Sequence, residues 1–414
     1  MYILMINNNK NYYDFVIIGS GLAGLYSAYL IKKHSNKSII ILDKEKKAWI
    51  GGRTGNETFF GNEIVTGAGV GRKTKDYVLE NLLKEFKIPT KECLIQMNYA
   101  KTIKHPVNVI KVIEYLKKEY KQKYIKQSKN LTFKEFAEPI LGNQLYKEFT
   151  ICAGYTDYEK EDVYEVLYNY GFNDNHPGWI SLIISWKNLV KKLIDFIGPN
   201  NVKSLHKVCK INKINDKPLV FETICENNNK YYSNQVIIAT TITSLLRLLP
   251  MFPIYQQIKG QPFLRVYGKF TKKSGQILEH FVPYQTIVPG PLHKIIPLKN
   301  DVYMIAYTDN QGALALKDHI ENTLTNRNFF EKLLERSLGI EYCTLELIAI
   351  KGFYWPIGTH YYEPLSGYKN RKSFLKAAQH PLKGITVVGE MVSMNQGWTE
   401  GALESVEAVK DLIL

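Results

Sequence analysis

A glycine-rich turn near the start of the chain constrains the fold more than any other feature. It reads Gly19-Ser20-Gly21-Leu22-Ala23-Gly24. The turn directly follows the apolar run 14–18 and opens a segment whose apolar residues are spaced as on one face of a helix. A second apolar run, 38–42, ends at Asp43. A strand, this turn, a helix and a second strand with a terminal acid are the elements of a dinucleotide-binding unit.

The parts of this unit have separate chemical tasks. Glycines at the turn permit a tight backbone bend, a close approach to a pyrophosphate and close packing of helix on strand. The unpaired N–H groups at the helix start attract phosphate, and the acid can accept hydrogen bonds from ribose hydroxyls. We therefore predict an α/β fold with a Rossmann-type unit. The residues expected to contact the dinucleotide are Gly19, Ser20, Gly21, Ala23, Gly24 and Asp43.

The composition argues against several other classes of protein. No apolar run approaches the roughly 20 residues that span a bilayer, and polar Asn7–Asn9 stands where a signal peptide needs apolar residues. We expect a cytoplasmic protein without a membrane span. The net charge is +15, but the lysines are spread over many predicted helices without a nucleic-acid motif, so we expect no specific nucleic-acid partner. The five cysteines have no metal-ligand spacing and predict no metal site.

The pattern of elements divides the chain into two interleaved parts. Buried-strand patterns predict a discontinuous dinucleotide-binding domain formed by residues 12–75, 196–250 and 380–414. Residues 76–195 carry helical patterns, and residues 251–379 carry alternating strand patterns. These two segments predict an inserted substrate domain with a helical part and an antiparallel sheet.

A Gly51-Gly52-Arg53 block follows soon after the predicted ribose-binding acid. This block resembles the flavin-containing amine oxidase superfamily, which includes monoamine, polyamine and L-amino-acid oxidases. In that superfamily the arginine approaches the FAD pyrophosphate, and the glycines let the backbone lie near the flavin. The resemblance therefore implies FAD as the dinucleotide, and a guanidinium is well suited to phosphate.

The resemblance continues through further blocks in the same order. Gly67 and Ala68 lie in a segment similar to the one that passes the isoalloxazine, and Val208 is similar to the valine whose backbone meets the adenine. The strand 236–240 resembles another family block. The closest match is at 384–414. There the resemblance assigns cofactor contacts to Gly389, Glu390, Trp398, Thr399 and Ala402.

The family resemblance also implies an architecture and a ligand. The implied fold has two domains, in which a Rossmann-type FAD domain carries an inserted substrate domain of mixed sheet and helices. The segment before the flavin has no cysteine, and Cys343 stands too early to match the family's attachment point. We therefore expect non-covalent FAD. The implied partner is a small-molecule amine or amino acid.

The implied reaction is the oxidation of that amine or amino acid by hydride transfer to flavin N5. O2 is the expected acceptor, which gives H2O2. Trp398 occupies the place of one of two aromatic rings that frame the substrate amine, and an indole face can attract a cation. The position that aligns with the second ring falls near Gly358, and Tyr361 and His360 are candidates by proximity.

One family position differs in its charge chemistry. Many family oxidases place a lysine on a strand of the substrate sheet, where it holds a water by N5. Arg265 stands there in this sequence, and its charge is fixed. It is therefore expected to bind a carboxylate or to form an internal ion pair. Arg265, Trp398, Tyr361 and His360 form the set of candidate catalytic residues.

Two other functions are compatible with the same sequence. A related flavoenzyme, such as a desaturase or a porphyrinogen-type oxidase, removes hydrogen across a carbon–carbon bond. A long apolar tunnel would favour that alternative, whereas an aromatic pair around a small space would favour amine oxidation. The third alternative is a protein that keeps FAD but has lost catalysis, and the replacement of lysine by Arg265 motivates it.

Overall fold

The computed structural model describes residues 11–123 and 130–414. The strands are β1 (Tyr12–Ile18), β2 (Ile39–Leu42), β3 (Asn56–Phe59), β4 (Asn62–Val65), β5 (Gly71–Arg72), β6 (Thr90–Leu94), β7 (Met97–Tyr99), β8 (Ile180–Ile184), β9 (Val202–Lys203), β10 (Val208–Asp216), β11 (Leu219–Cys225), β12 (Lys230–Ile238), β13 (Ile258–Phe270), β14 (Gln285–Ile287), β15 (Lys294–Pro297), β16 (Val302–Asp309), β17 (Leu347–Tyr362) and β18 (Ile385–Val387). The α-helices are α1 (Leu22–His34), α2 (Tyr77–Glu85), α3 (Val109–Lys123), α4 (Phe133–Leu141), α5 (Asn143–Ala153), α6 (Val163–Tyr168), α7 (Trp186–Ile197), α8 (Ile242–Leu248), α9 (Lys272–Phe281), α10 (Asn310–Leu316), α11 (Leu324–Leu338), α12 (Arg371–Gln379), α13 (Thr399–Glu407) and α14 (Lys410–Ile413). None of the helices in these ranges has the length and apolar character needed to cross a bilayer.

The larger sheet is organised around β1, whose last four side chains, Phe15 to Ile18, are buried. Strand β1 pairs in parallel with β2 on one side and with β12 on the other. Strand β18 also pairs in parallel with β12, beyond the point where the antiparallel strand β11 ends. The carboxyl ends of β1, β2, β12 and β18 therefore meet at one edge, which is where sheets of this kind bind ligands.

The second sheet is built on two long antiparallel strands, β13 and β17, and has the order β17-β13-β16-β15-β14-β7. Leu264 and Val266 of β13 pack into an apolar core. Gln261, Phe263 and Arg265 alternate with them, so their side chains leave the opposite face of the strand. This opposite face carries the substrate-side residues described below.

The structure shifts two predicted domain boundaries. Helix α2 and most of α7 lie in the range 76–195, which was predicted to belong to the substrate domain. Their apolar side chains instead pack in the same core as β1 and α1, where Trp186 is fully buried. A single helix cannot cover one face of a parallel sheet, and α2 and α7 supply part of the remaining cover together with α13. The segments 77–85 and 186–197 therefore belong structurally to the dinucleotide side.

A buried group of ion pairs joins α12 to α6. Arg371, which is 4% exposed, donates its Nε–H to Glu165 at 3.2 Å and lies 3.6 Å from Asp162. Its guanidinium also lies 4.3 Å from the ring centroid of Tyr362, the last residue of β17. Asp162 in turn accepts hydrogen bonds from the N–H groups that open α6. Arg371 thus connects the helical part of the substrate side to the end of its sheet.

Replacing Arg371 with alanine is expected to lower the free energy of unfolding by about 3–5 kcal/mol, because two buried carboxylates lose the charge that compensates them. Urea unfolding of the wild-type protein and the variant measures the difference. Lys372→Ala, at the next and exposed position, is the control, and it is expected to change the free energy by less than about 0.5 kcal/mol. Equal stability of Arg371→Ala and the wild type would contradict the assignment.

Candidate active site

The predicted dinucleotide turn lies at the carboxyl edge of the parallel strands. Gly19 has a φ of +104°, and a Cβ added there would lie 2.4 Å from the Ala239 carbonyl oxygen. A Cβ on Gly24 would lie 2.0 Å from the Gly19 oxygen. By contrast, an added Cβ on Gly21 meets nothing within 4 Å. The first and third glycines therefore serve close packing of the chain, whereas the second leaves open space at the start of α1.

Asp43 follows β2 and holds this turn in place. Its Oδ2 accepts hydrogen bonds from the N–H and the hydroxyl of Ser20, both at 2.6 Å, and its Oδ1 accepts from the Glu45 N–H at 2.8 Å. Ser20 is buried, and so is Ala23 in the first turn of α1. Asp43 therefore fixes the backbone of the turn, and its contact with a ribose stays a prediction.

Val208 reaches the same edge through its neighbours. The His206 N–H donates to the Asp43 carbonyl oxygen at 2.7 Å, and the Leu205 N–H donates to the Glu45 oxygen at 2.9 Å. Val208 then begins β10 and packs against one apolar core of the sheet. The segment that leads into Val208 is thus bonded to Asp43 and Glu45, and the contact of Val208 with an adenine stays a prediction.

The Gly51-Gly52-Arg53 block faces the glycine turn. The Gly51 N–H donates to the Ser20 carbonyl oxygen at 3.0 Å, and Gly51 and Gly21 form an isolated bridge. Gly52 has a φ of +61°, and a Cβ added there would meet only the Gly21 Cα, at 3.6 Å. At Gly21 and Gly52, the glycine turn and the Gly51-Gly52-Arg53 block therefore present only backbone atoms to the space between them.

Glu390 is a buried carboxylate that follows β18 at this edge. Its Oε1 accepts hydrogen bonds from the N–H groups of His360 at 2.9 Å and Gly397 at 2.8 Å, and its Oε2 accepts from His360 Nδ1 at 2.6 Å. The Arg53 guanidinium lies 3.4 Å from Glu390 and donates to the Gly358 carbonyl oxygen at 2.7 Å. Burial raises the pKa of Glu390, but His360, Arg53 and the hydrogen bonds together lower it to about 2. Glu390 is therefore ionised at neutral pH.

His360 has both ring nitrogens engaged. Its Nε2 accepts a hydrogen bond from the Ile242 N–H at 3.2 Å, so the proton is on Nδ1, which donates to Glu390. His360 thus positions Glu390 with both ring nitrogens engaged, and its predicted catalytic role stays a prediction. Tyr361 shares its face of β17 with Thr359, and burial raises its pKa to about 12. A catalytic role for Tyr361 stays a prediction.

The segment predicted to pass the isoalloxazine lies between Arg53 and Arg265. The Ala68 N–H donates to the Arg53 carbonyl oxygen at 2.7 Å, and a Cβ on Gly67 would lie 2.3 Å from the same oxygen. A Cβ on Gly69 would lie 3.2 Å from a terminal nitrogen of Arg265. The structure therefore brings together the predicted flavin segment and the predicted substitute for the family lysine.

Arg265 is a buried cation that packs on aromatic and sulfur atoms. It is 5% exposed, its Cζ lies 3.9 Å from the Tyr307 ring centroid, and its Nη1 lies 3.8 Å from Met304 Sδ. Within residues 11–123 and 130–414, no acidic side chain forms an ion pair with it. Of the two roles expected for Arg265, the internal ion pair is therefore missing from the described chain.

Trp398 directly precedes α13 and stacks on a fixed cation. Arg72 Cζ lies 4.0 Å from the ring centroid, and the edge of Trp179 contacts the indole with centroids 6.4 Å apart. Arg72 is held by Asp76 at 2.7 Å and by Asp174 at 2.8 Å. Because a guanidinium already covers one face of the indole, a substrate can stack only on the other face.

The remaining predicted contacts complete an open groove, called the cradle below, that is lined by Gly21, Gly52, Arg53, Gly389 and Thr399. Gly389 has a φ of +129°, and a Cβ added there meets nothing within 4 Å. Ala402 of α13 packs beside α1. The Thr399 hydroxyl, at the first position of α13, is buried and has no hydrogen-bond partner among the described residues. Open backbone at Gly21 and Gly389, with the Arg53 cation and this unpaired hydroxyl, fits a dinucleotide with an extended, phosphate-containing body.

An aromatic group beside this cradle was not predicted from the sequence. Gly358, the position aligned with the second family ring, lies directly under Phe263, because a Cβ on Gly358 would be 2.4 Å from the Phe263 Cβ. The Phe263 ring centroid lies 6.0 Å from that of Tyr155 and 6.1 Å from that of Tyr307. The only sequence signal was the spacing of Phe263 and Arg265, which places both side chains on one face of a strand.

Lys294 and two buried acids were also missed. The Lys294 Nζ lies 3.3 Å from the Tyr155 ring centroid. Burial lowers the pKa of Lys294 to about 7, although Asp157 and Asp309 act to raise it. Burial likewise raises the pKa of Asp157 and of Asp309. No motif surrounds these residues, and three separate segments bring them together.

Comparison with known proteins identifies the fold. Residues 17–86 match the model of an NAD(P)-binding Rossmann-like domain. Cyclohexylamine oxidase from Brevibacterium oxydans IH-35A superposes with a TM-score of 0.76 at 12% identity, over 97% of this chain and 98% of that one. A triple mutant of putrescine oxidase, made to redesign cofactor binding, superposes with a TM-score of 0.72 at 15% identity, over 97% and 99%. The chain has the fold of these amine oxidases.

The amine-oxidase fold confirms the predicted α/β class, the Rossmann-type unit and the second, inserted domain. No curated protein sequence matches the chain significantly. The amine-oxidase fold also explains why the first and last segments of the chain share one edge, since both supply strands to the same sheet.

Gly21→Ala is expected to separate cofactor binding from folding. The added methyl group meets no protein atom, so the thermal midpoint of the cofactor-free protein should stay within about 2 °C of wild type. The methyl group fills the space at the start of α1, so FAD should bind at least about tenfold more weakly. Flavin absorbance after gel filtration measures retention. Gly24→Ala is the contrasting variant, because its methyl group collides with the Gly19 oxygen and should destabilise the fold itself.

Proposed function

We propose that this chain is an FAD-dependent oxidoreductase that oxidises an amine or an amino acid. The observation that carries the proposal is the junction at Gly69, where the open dinucleotide cradle meets the face of β13 that bears Phe263 and Arg265. The similarity in fold to two amine oxidases supports the same conclusion. We propose that the FAD is held non-covalently, by Gly21, Gly52, Arg53 and the other cradle residues.

The bound flavin supplies the acceptor for two electrons. The chain's own residues hold and shield the reactants. Ionised Glu390 fixes the backbone of His360 and Gly397, and Gly397 sets the position of Trp398 in the next peptide. The free face of the Trp398 indole can orient the substrate amine. Phe263, Tyr155 and Tyr307 exclude water from the other side, which favours the neutral amine that gives up a hydride.

The proposed reaction balances without a further co-reactant when O2 is the acceptor. A bound flavin would accept a hydride equivalent from the carbon that bears the amine, and the substrate nitrogen would lose a proton, which leaves an imine. Water hydrolyses the imine to a carbonyl compound and ammonia. O2 takes up the two electrons and two protons and becomes H2O2. Lys294 lies on the Tyr155 ring, and burial lowers its pKa to about 7, which would suit it to exchange a proton on the substrate side.

Arg265 bears on the choice between an amine and an amino acid. A buried guanidinium without an acidic partner is well suited to accept a substrate carboxylate in a bidentate contact. Amino acids are therefore expected to bind more tightly than the amines that lack the carboxylate. Arg265→Met should remove that preference while leaving binding of simple amines unchanged within about twofold.

The visible spectrum of the purified protein tests the proposal most directly. Flavin bands that bleach without air when an amine or amino acid is added would support it. Flavin bands that no such compound bleaches would favour a carbon–carbon dehydrogenation or a loss of catalysis. If the protein neither carries nor takes up FAD, then amine oxidation, carbon–carbon dehydrogenation and FAD binding without catalysis are all excluded.

Trp398→Ala is expected to lower kcat/KM for the best substrate by at least about tenfold, or ~1.4 kcal/mol, because the substrate amine loses the surface that orients it. The rate of flavin reduction in a single anaerobic turnover measures this effect. Trp398→Phe keeps an aromatic face and should retain most of the rate. Unchanged reduction in Trp398→Ala would show that the indole does not contact the substrate.

A further inference from the structure

A small cavity lies on the substrate side, between the helical part and the two sheets. Its volume is about 30 Å³, which is room for roughly two water-sized groups. Its wall includes Asp157, Glu161, Tyr170, Gln261, Thr359 and Gly397. Gly397 immediately precedes Trp398, so the cavity borders the proposed active site.

Glu161 in this wall is a buried carboxylate without a partner. It is 7% exposed, and no hydrogen bond or ion pair from the residues that the structure describes reaches its side chain. Two of its acidic neighbours, by contrast, have hydrogen-bond partners. Glu165 is bonded to Arg371 and Asn169, and Asp157 accepts a hydrogen bond from the Tyr170 hydroxyl. Buried acids are normally paired, so an unpaired one at a cavity wall indicates a missing positive group.

The side chains around Glu161 are mostly acidic, which favours the binding of a cation there. Burial raises the pKa of Glu161 well above its usual range, and Glu165, Asp157 and Asp162 raise it further, whereas Arg371 lowers it. Arg371 is already shared between Glu165 and Asp162. No second cation among the described residues is bonded to Glu161, and a cation bound in the cavity would favour the ionised form of its carboxyl group.

The cavity lies at one end of the β13 face that carries Phe263 and Arg265. Arg265, Phe263 and Gln261 occupy alternate positions on one face of β13, with Arg265 at Gly69 and Gln261 in the cavity wall. Phe263 and Gln261 are two residues apart, which is about 6.5 Å along a strand. A five-carbon chain that starts over Phe263 would therefore reach the cavity wall at Gln261 with its far end.

We propose that this cavity binds a second cationic group of the substrate, with Glu161 as its counter-ion. The substrate is then a diamine or an amino acid with a basic side chain, and the distal ammonium occupies the cavity while the other amine is oxidised. The assignment of the cation to a substrate rests on the proposed amine oxidation. The cation-binding property of the cavity does not depend on it.

Two pairs of probes test this inference with the FAD-loaded protein in the absence of air. The first pair is 1,5-diaminopentane and pentylamine, and the second is lysine and norleucine. Each pair differs only in the presence of the distal ammonium. Isothermal titration calorimetry gives the dissociation constants, and the flavin spectrum of the same samples reports reduction. The member with the distal ammonium should bind at least about tenfold more tightly in one pair or both.

Glu161→Gln keeps the size of the side chain and removes its charge. In this variant the preference should fall to within about twofold, while the affinity for pentylamine or norleucine stays unchanged. Glu159→Gln is the matched control, since it makes the same change two residues away, where the carboxylate is bonded to the Tyr146 hydroxyl. The control should keep the preference of the wild type.

The outcomes separate this inference from the proposed function. The absence of a preference in the wild type, or its survival in Glu161→Gln, would overturn the cavity assignment. A preference without bleaching of the flavin by any probe would leave the cation site in place and contradict amine oxidation. Bleaching of the flavin by both members of a pair, with equal affinity for the two, would support amine oxidation and contradict the cation site.

Discussion

The carboxylate of Glu390 holds the two sheets together at the point where they meet. It follows β18 of the dinucleotide side, and it accepts hydrogen bonds from the backbone and ring of His360 in β17 of the substrate side. A third bond comes from Gly397 and fixes the approach to α13, and Arg53 neutralises the charge from a fourth segment. A buried charge with this many donors has a single favourable geometry. The cradle, the position of Trp398 and the start of the substrate face all depend on it.

Charge on the substrate side is distributed along one line. Arg265 supplies a cation near the predicted flavin segment, and Glu161 supplies a carboxyl group at the far end, with Phe263 between them. Neither group has an ion-pair partner of its own among the described residues. Such a pattern costs the protein stability, because both polar groups were removed from water without a partner. It is typical of a surface shaped for a ligand that carries charges of both signs or at both ends.

The cofactor side could be predicted from the sequence because its chemistry depends on backbone. Gly19, Gly21 and Gly24 each have a distinct steric task, and no other residue type performs it, so the spacing identifies the turn. The substrate side depends on side chains that converge from distant segments. Phe263 covers Gly358, and Lys294 lies on the Tyr155 ring, but neither pair has a fixed spacing that a sequence pattern could reveal. The packing of α2 and α7 on the first core was missed for the same reason, since an amphipathic helix does not specify which core it covers.

The pairing of β18 with β12 has a consequence for the order of assembly. The ribosome supplies the glycine turn and Asp43 early, but Gly389, Glu390 and α13 come more than 300 residues later. Domains made during synthesis generally fold as soon as their segments are available. This cradle is incomplete until its last strand has left the ribosome and found β12. Completion of this edge is therefore a late event in folding, because it requires pairing between segments of the first domain that lie far apart in the sequence.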